Sequence, residues 1–256
     1  MRLITWNVNS IRPRLERVLA LLERHDPDVL CLQEIKVLDE AFPRDVFEAK
    51  GWHVETFGQP TYNGVALLSK EPAQDVVRGL PGDGPDDQKR LIAGTFGGVR
   101  VINIYVPNGQ DPESDKFVYK LDWLERLQAM LAAAHTPDDP VVLLGDFNIA
   151  PDERDVHDPV AWAGKVHFHP KEHAFLARLQ AWGLGDVFRW HHRQGGLFSW
   201  WDYRRGGFPR DHGLRIDLIL ATETMVERSD DCFIDREERT GEKPSDHAPV
   251  VADFES

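Results

Sequence analysis

The chain has 256 residues, with 30 lysines and arginines against 43 aspartates and glutamates, a formal net charge of −13. At 41% hydrophobic and 29% charged residues it has an ordinary globular composition and is long enough to bury a substantial core. Apolar runs such as residues 141–144 are far too short to span a membrane. Two cysteines exclude a disulfide scaffold, and the acidity at face value argues against a nucleic-acid partner, because phosphate binding normally shows as surplus Lys and Arg.

Leu3, Ile4 and Trp6 read as a short strand ending at Asn7, too brief for a secretory leader. Pro13 then opens a helix whose apolar face is Leu15, Val18, Leu19 and Leu22, broken by Asp26-Pro27-Asp28. Residues 29–32 form a continuous apolar run, the pattern of a strand buried on both faces, with Gln33 and Glu34 at its end. Further strands are expected at 65–68, after Asn63-Gly64, and at 91–96 and 99–106, joined by the hairpin signal Gly97-Gly98. A second helix starts near Ser114 and carries Phe117, Leu121, Leu124 and Leu131 on one stripe. Residues 141–144 are another buried strand. A third helix follows Pro170, buries Phe175, Leu179 and Trp182, and ends at Gly183. Strands at 214–221 and 249–254 close the chain. The sum is a mixed α/β sandwich with sheet in the middle and helices outside. No linker, repeat or low-complexity tract divides it, so one domain over residues 1–256 is expected. Two cysteines, with Cys31 inside an apolar run, fit a reducing cytoplasm.

Polar groups recur where apolar strands end. They are Asn7, Glu34, the pair Asp146 and Asn148, Asp217, and Asp246 with His247 ahead of the last strand. Any one of these is an ordinary turn or cap residue. Together, at the same kind of position, they point to a shared site, since a rigid sheet places loop residues precisely. Carboxylates such as Glu34 offer hard oxygen ligands suited to Mg²⁺. If strand geometry continues, Asp146 and Asn148 project to one side and hold one water or phosphate oxygen. His247 offers an imidazole that a separate carboxylate such as Asp217 would orient. Metal, water-orienting carboxylate and imidazole facing one phosphorus describe phosphodiester hydrolysis.

The stretches ITWNVN at 4–9, LQEIK at 32–36, NIYVPNG at 103–109, GDFNIAP at 145–151, GLRID at 213–217 and SDHAP at 245–249 together resemble the exonuclease III family of abasic-site endonucleases. They occur in the family order across essentially the whole chain. The resemblance implies a four-layer αββα sandwich of two mixed, largely antiparallel sheets flanked by helices. It implies that Glu34 holds Mg²⁺ (Mn²⁺ substituting), with Asn7 and Asp246 close by. Asp146 would activate or position the attacking water or protonate the leaving group. Asn148 would orient that water or the imidazole, His247 would contact the phosphate with Asp217 supporting it, and Tyr105 would hydrogen-bond the phosphate. The implied substrate is double-stranded DNA with abasic sites or blocked 3′ ends, cut 5′ of the abasic sugar to leave a 3′-hydroxyl, with 3′→5′ exonuclease and 3′-phosphatase capability, by a monomer.

The acidity is uneven. Residues 189–215 hold six arginines against Asp202 and Asp211, interleaved with Trp190, Phe198, Trp200, Trp201, Tyr203 and Phe208, a pattern that suits phosphate pairing and stacking. Trp201 reads as core. By the resemblance, Trp200 and Leu214 line the abasic-sugar pocket, and Ile216 is grouped with them. Leu214 stands where some relatives carry a large aromatic. Arg90, Lys116 and Arg205 are candidate phosphate contacts. Negative charge collects at Asp83, Asp86 and Asp87, at Asp152, Glu153, Asp155 and Asp158, at Asp230 and Asp231, and at Asp235, Glu237, Glu238 and Glu242, read as solvated loop faces, with a second metal role for Asp152 and Asp155 as the alternative. His167, His169 and His173 have no cysteine beside them and no familiar zinc spacing, and are read as loop and helix-start residues. Two competing readings are a phosphoesterase of the same fold acting on RNA, phosphoinositides or phospholipid head groups, and a non-catalytic nucleic-acid-binding protein. The presence of WWDYR at 200–204 with GLRID argues against the first, and the full set of polar residues argues against the second.

Overall fold

The computed structural model describes residues 1–84 and 87–255; Asp86, one of the acidic residues noted above, lies outside the described residues. In chain order the strands are β1 (Arg2–Asn7), β2 (Val29–Gln33), β3 (His53–Phe57), β4 (Val65–Ser69), β5 (Gln74–Arg78), β6 (Leu91–Phe96) and β7 (Val99–Tyr105). The remainder are β8 (Val141–Asp146), β9 (Leu184–Asp186), β10 (Asp217–Thr222), β11 (Ser229–Ile234) and β12 (Val250–Phe254). They form two sheets of six strands, in the orders β11-β12-β1-β2-β4-β3 and β5-β6-β7-β8-β10-β9. The pairs β1–β2 and β7–β8 are parallel and the others antiparallel. Three apolar clusters separate four layers. One lies between the sheets, with Leu3, Cys31 and Val65 facing Val101, Leu144 and Ile219. A second packs the helices Asp115–Ala134 and Pro170–Trp182 on the second sheet, and a third packs the helix Leu15–His25 on the first. This is the expected αββα sandwich, with Trp201 and Cys31 in its core.

Local chemistry sets the element ends. Ser114 caps its helix by accepting from the Phe117 N–H at 3.3 Å. Asp26 (φ 44°) stops the first helix in the left-handed conformation, its N–H donating to Leu22 O. Gly97 and Gly98, both at positive φ, make the β6–β7 hairpin. Pro13 sits in a single 3-10 turn (Arg12–Arg14), and the α-helix proper begins at Leu15.

The strand expected at 214–221 is shorter: the ladder starts at Asp217. Leu214 exchanges two hydrogen bonds of 2.9 Å with Trp200, and the Arg215 N–H donates to Asp155 O, so this stretch pairs with loops and not with the sheet. The helix stripe at 115–134 also contains Lys120, a fully buried cation.

Candidate active site

The polar residues at strand ends meet along one edge of the sandwich because of register. Asn7 pairs with Gln33 across β1–β2, Tyr105 with Asp146 across β7–β8, and Asp146 with Asp217 across β8–β10. One sheet therefore presents Asn7 and Glu34, and the other presents Tyr105, Asp146 and Asp217. Asp246 and His247 precede β12. Gly145 makes the approach possible: a Cβ there would lie 1.9 Å from Ile104 O, so only glycine lets β8 reach Asp146 beside β7.

His247 and its partners form the centre. Asp217 accepts from His247 Nδ1 at 2.9 and 3.0 Å through its two oxygens, and Nε2 lies 3.7 Å from Asp146 Oδ2. Ser199 Oγ donates to Asp217 Oδ2 at 2.6 Å and accepts from the N–H groups of Ile216 and Asp217. Burial alone would lower the imidazole's affinity for a proton, but Asp217 and Asp146 outweigh it and raise the His247 pKa to about 10. Burial pushes the Asp146 carboxyl up to about 7; His247 opposes this, and the charges of Asp217 and Glu34 add to it.

Asn7 Nδ2 bridges the two sheets by donating to Glu34 Oε1 at 2.7 Å and Asp146 Oδ2 at 2.9 Å. Lys36 Nζ lies 2.8 Å from Glu34 Oε2 and donates to Asn9 Oδ1 at 2.6 Å. Tyr105 keeps its phenolic proton, held well above the ordinary range by burial and the charge of Glu34, while the Arg90 guanidinium 4.6 Å from its ring opposes the shift.

Asp146 and Asn148 do converge, but not by strand alternation. β8 ends at Asp146, and Asn148 turns back at φ 51°. The Asn148 N–H donates to Asp146 Oδ1 at 2.9 Å and its Nδ2 reaches Val106 O at 3.0 Å. A left-handed turn therefore supplies the geometry that a continued strand was expected to give.

Glu34, Asp146 and His247 offer potential ligand atoms within 4.8 Å of one another. Of the expected set, Glu34 is in this cluster, Asn7 donates to its Glu34 and Asp146, and Asp246 lies outside it. The Asn7 oxygen accepts from the Asn9 N–H, and Asp246 is held by Asn9 Nδ2 and Trp200 Nε1, each at 3.0 Å. His247, tied to Asp217 as an imidazolium, has no free lone pair for a metal, so the hard oxygens of Glu34 and Asp146 are the donors that fit a cation. Burial is the main cause of the raised Asp146 pKa, the charges of Asp217 and Glu34 add to it, and a cation would offset both.

The expected substrate contacts fall into two groups. Arg90, Tyr105 and Lys116 line one cleft of about 480 Å³, together with Tyr62, Asn108 and Tyr119. Leu214 and Ile216, expected as pocket walls, have almost no exposed surface (0% and 1%) and pack with Ala150, Val156 and Phe168. Half-buried Trp200 covers this cluster, with the His167 ring 6.2 Å away.

The arginine island also needs correction. Arg215 is wholly buried, bonded to Asp155 and Asp186, and Arg189 shares Asp155, so two of its six cations neutralise buried carboxylates. This also disposes of Asp155 as a metal ligand or solvated loop residue. Asp235 and Glu238, read as solvated, are buried against Arg24. Arg193, Arg204, Arg205 and Arg210 remain exposed, Arg205 in a left-handed turn and Arg204 paired with Asp202 at 2.7 Å. The three histidines serve separate ends: His167 Nδ1 bonds Asn148 O at 2.7 Å, His169 caps the helix at Pro170, and His173 bonds Ala150 O.

Sequence reasoning missed Ser199, Asn9 and the buried pair Lys120–Glu172. Ser199 and Asn9 carry no local signal. Lys120 could have been found, because it lies three residues after Phe117 and four before Leu124, on the buried stripe.

Residues 4–247 match the model of the Endonuclease/Exonuclease/phosphatase family. The chain is 41% identical to exodeoxyribonuclease III of Haemophilus influenzae, covering 99% of this chain and 100% of that one. Among solved structures it is similar to a Neisseria 3′ phosphatase bound to product DNA hairpin, at 44% identity and a TM-score of 0.96, and to an AP endonuclease from Archaeoglobus fulgidus, at 41% and 0.95, each covering 100% of both chains.

Proposed function

The chain belongs to the endonuclease/exonuclease/phosphatase family, in its exonuclease III group, and we propose that it is a metal-dependent DNA-repair phosphodiesterase that hydrolyses the bond between phosphorus and a 3′-oxygen. The substrates are duplex DNA with abasic sites, cut on the 5′ side, and duplex DNA with blocked 3′ ends. The observation that carries the reading is the buried array Asp146···His247···Asp217 beside Glu34.

Each residue has a role in this proposal. Asp217, fixed by Ser199, holds His247 as an imidazolium whose Nε2 donates toward a phosphate oxygen. Tyr105 remains a neutral phenol and donates a second hydrogen bond to the phosphate. Asp146 is the carboxylate we assign to accept the proton of an attacking water, and Asn148 orients it through its main-chain N–H at 2.9 Å. Glu34 and Asp146, with Asn7 and Asp246 nearby, would hold Mg²⁺ (or Mn²⁺), which would neutralise charge on the phosphate. Arg90 and Lys116 in the cleft beside Tyr105, and Arg205, are the proposed contacts for flanking phosphates, and the protein acts as a monomer in the cytoplasm.

One reaction serves both substrate types, since incision 5′ of an abasic sugar and removal of a 3′-phosphate break the same kind of bond. The burial of Leu214 and Ile216 beneath Trp200 favours blocked 3′ ends, which need no sugar to enter that pocket. The test is substitution: Asp146→Asn and His247→Ala should each lower turnover by roughly 100-fold or more while DNA binding persists. Near-normal turnover in either variant would remove that residue from the mechanism.

A further inference from the structure

The catalytic groups are divided between two sheets, so their alignment depends on how one sheet sits against the other. The facing surfaces are mostly aliphatic, with Leu3, Val65, Val101 and Leu144 among them. Such packing is non-directional and tolerates sliding and repacking. Asn7 bridges the sheets within the site itself, and so belongs to what must be aligned.

One residue before Glu34 the interface carries a second polar link. Gln33 Nε2 donates to Asn103 Oδ1 at 2.7 Å and, within its own sheet, to Thr5 Oγ1 at 2.9 Å and Cys31 O at 3.2 Å. Asn103, two residues before Tyr105 on the opposite sheet, donates through Nδ2 to the main-chain oxygens of Leu32 and Ala66, each at 3.0 Å. Gln33, Asn103 and Thr5 are completely buried, and Gln33 Oε1 has no hydrogen-bond partner. A buried acceptor left unpaired is destabilising, so the link is a poor device for stability. It is a good device for direction. Sliding either sheet by one residue, about 3.3 Å, would break the Gln33–Asn103 bond and both bonds from Asn103 to Leu32 and Ala66, while aliphatic contacts would re-form.

We infer that Gln33 and Asn103 are positioning residues that lock the register of the two sheets and so hold Glu34 opposite Asp146 and Tyr105. The turnover arm of the test rests on the phosphodiesterase reading; the metal-binding arm needs no DNA, so the two can fail separately. In the double variant Gln33→Met/Asn103→Leu, which removes all five bonds and keeps apolar volume, the melting temperature should fall, because Thr5 Oγ1 and the main-chain oxygens of Cys31, Leu32 and Ala66 each lose a donor. Turnover on a 3′-phosphate duplex should fall about 10- to 100-fold with KM for DNA within about twofold. Mn²⁺ affinity, titrated by electron paramagnetic resonance without DNA, should weaken about 10-fold. A folded double variant with wild-type turnover and Mn²⁺ affinity would overturn the inference, leaving the pair as packing only. If the double variant does not fold, Gln33→Met alone, which removes the Gln33–Asn103 bond across the sheets and keeps both bonds from Asn103 to Leu32 and Ala66, should still weaken Mn²⁺ binding; unaltered Mn²⁺ binding in that folded variant would overturn it equally.

Discussion

Replacing Lys120 by methionine should destabilise the protein far more than an ordinary lysine substitution. The ammonium is fully buried, paired with the buried Glu172 carboxylate, and donates to Asn148 O at 2.8 Å and Asn108 O at 3.2 Å. Burial works against the charge and lowers its pKa, and Glu172 is the main group opposing that. Lys120→Met keeps the stem and removes the cation, leaving Glu172 with only the main-chain N–H groups of His167 and His169. Removing one partner of a buried pair costs about 3–5 kcal/mol. For 256 residues, an unfolding entropy of about 2.1 cal/mol/K per residue amounts to about 0.5 kcal/mol/K, so the melting temperature should drop by roughly 6–9 °C. Adding Glu172→Gln, which removes the stranded charge, should recover at least about half of that loss. Calorimetry of the wild type, single and double variants at neutral pH measures it. A Lys120→Met protein as stable as wild type, or a double variant no better than the single, would refute the reasoning.

Asp217→Asn should lower turnover by about 10²–10³-fold, the usual scale for losing one preorganised electrostatic partner, with DNA affinity preserved; steady-state kinetics showing nearly full turnover would remove Asp217 from the support of His247. His167 supplies a pH test. Burial, and then the Lys120 charge, depress its pKa from 6.5 to about 3, so the folded state binds fewer protons than the unfolded state between those values. Its contribution to stability is therefore present above pH 6.5 and is lost as pH falls toward 3. His167→Gln should flatten the acid limb of stability by up to about 1.4 kcal/mol per pH unit, and denaturant melts giving parallel limbs would contradict this. Arg205→Ala should reduce the slope of log affinity for duplex against log salt by about 0.9 if it meets one phosphate, whereas Arg215→Ala should cost stability and leave the slope of the folded protein unchanged.

Much of the fold was legible because its signals are local. The 3.6-residue stripes, the apolar run at 29–32, the Gly97-Gly98 hairpin and the helix stop at Gly183 each encode their element directly. The amphipathic edge strand β5 and the short β9 were not legible, since neither carries a sufficient apolar pattern. The site residues were legible as a set at strand ends. Their wiring was not, because it depends on groups far apart in sequence: Ser199 beneath Asp217, Asn7 between Glu34 and Asp146, and Arg215 turned inward to Asp155. A count of arginines could not separate the inward pair from the exposed four, so the positive face is smaller than composition implied. Net charge of −13 averages over surfaces that need not meet substrate.

The most direct measurement is kcat/KM on one panel of labelled substrates with Mg²⁺: a duplex ending in a 3′-phosphate, a duplex with one tetrahydrofuran abasic mimic, an intact duplex, the single strand, and the same sequence as RNA. Release of phosphate from the 3′ end and a cut immediately 5′ of the tetrahydrofuran, both abolished by EDTA, with the last three substrates much slower, is the result the account predicts. Equal cutting of undamaged duplex, single strand or RNA, or turnover that survives removal of the metal, would contradict it.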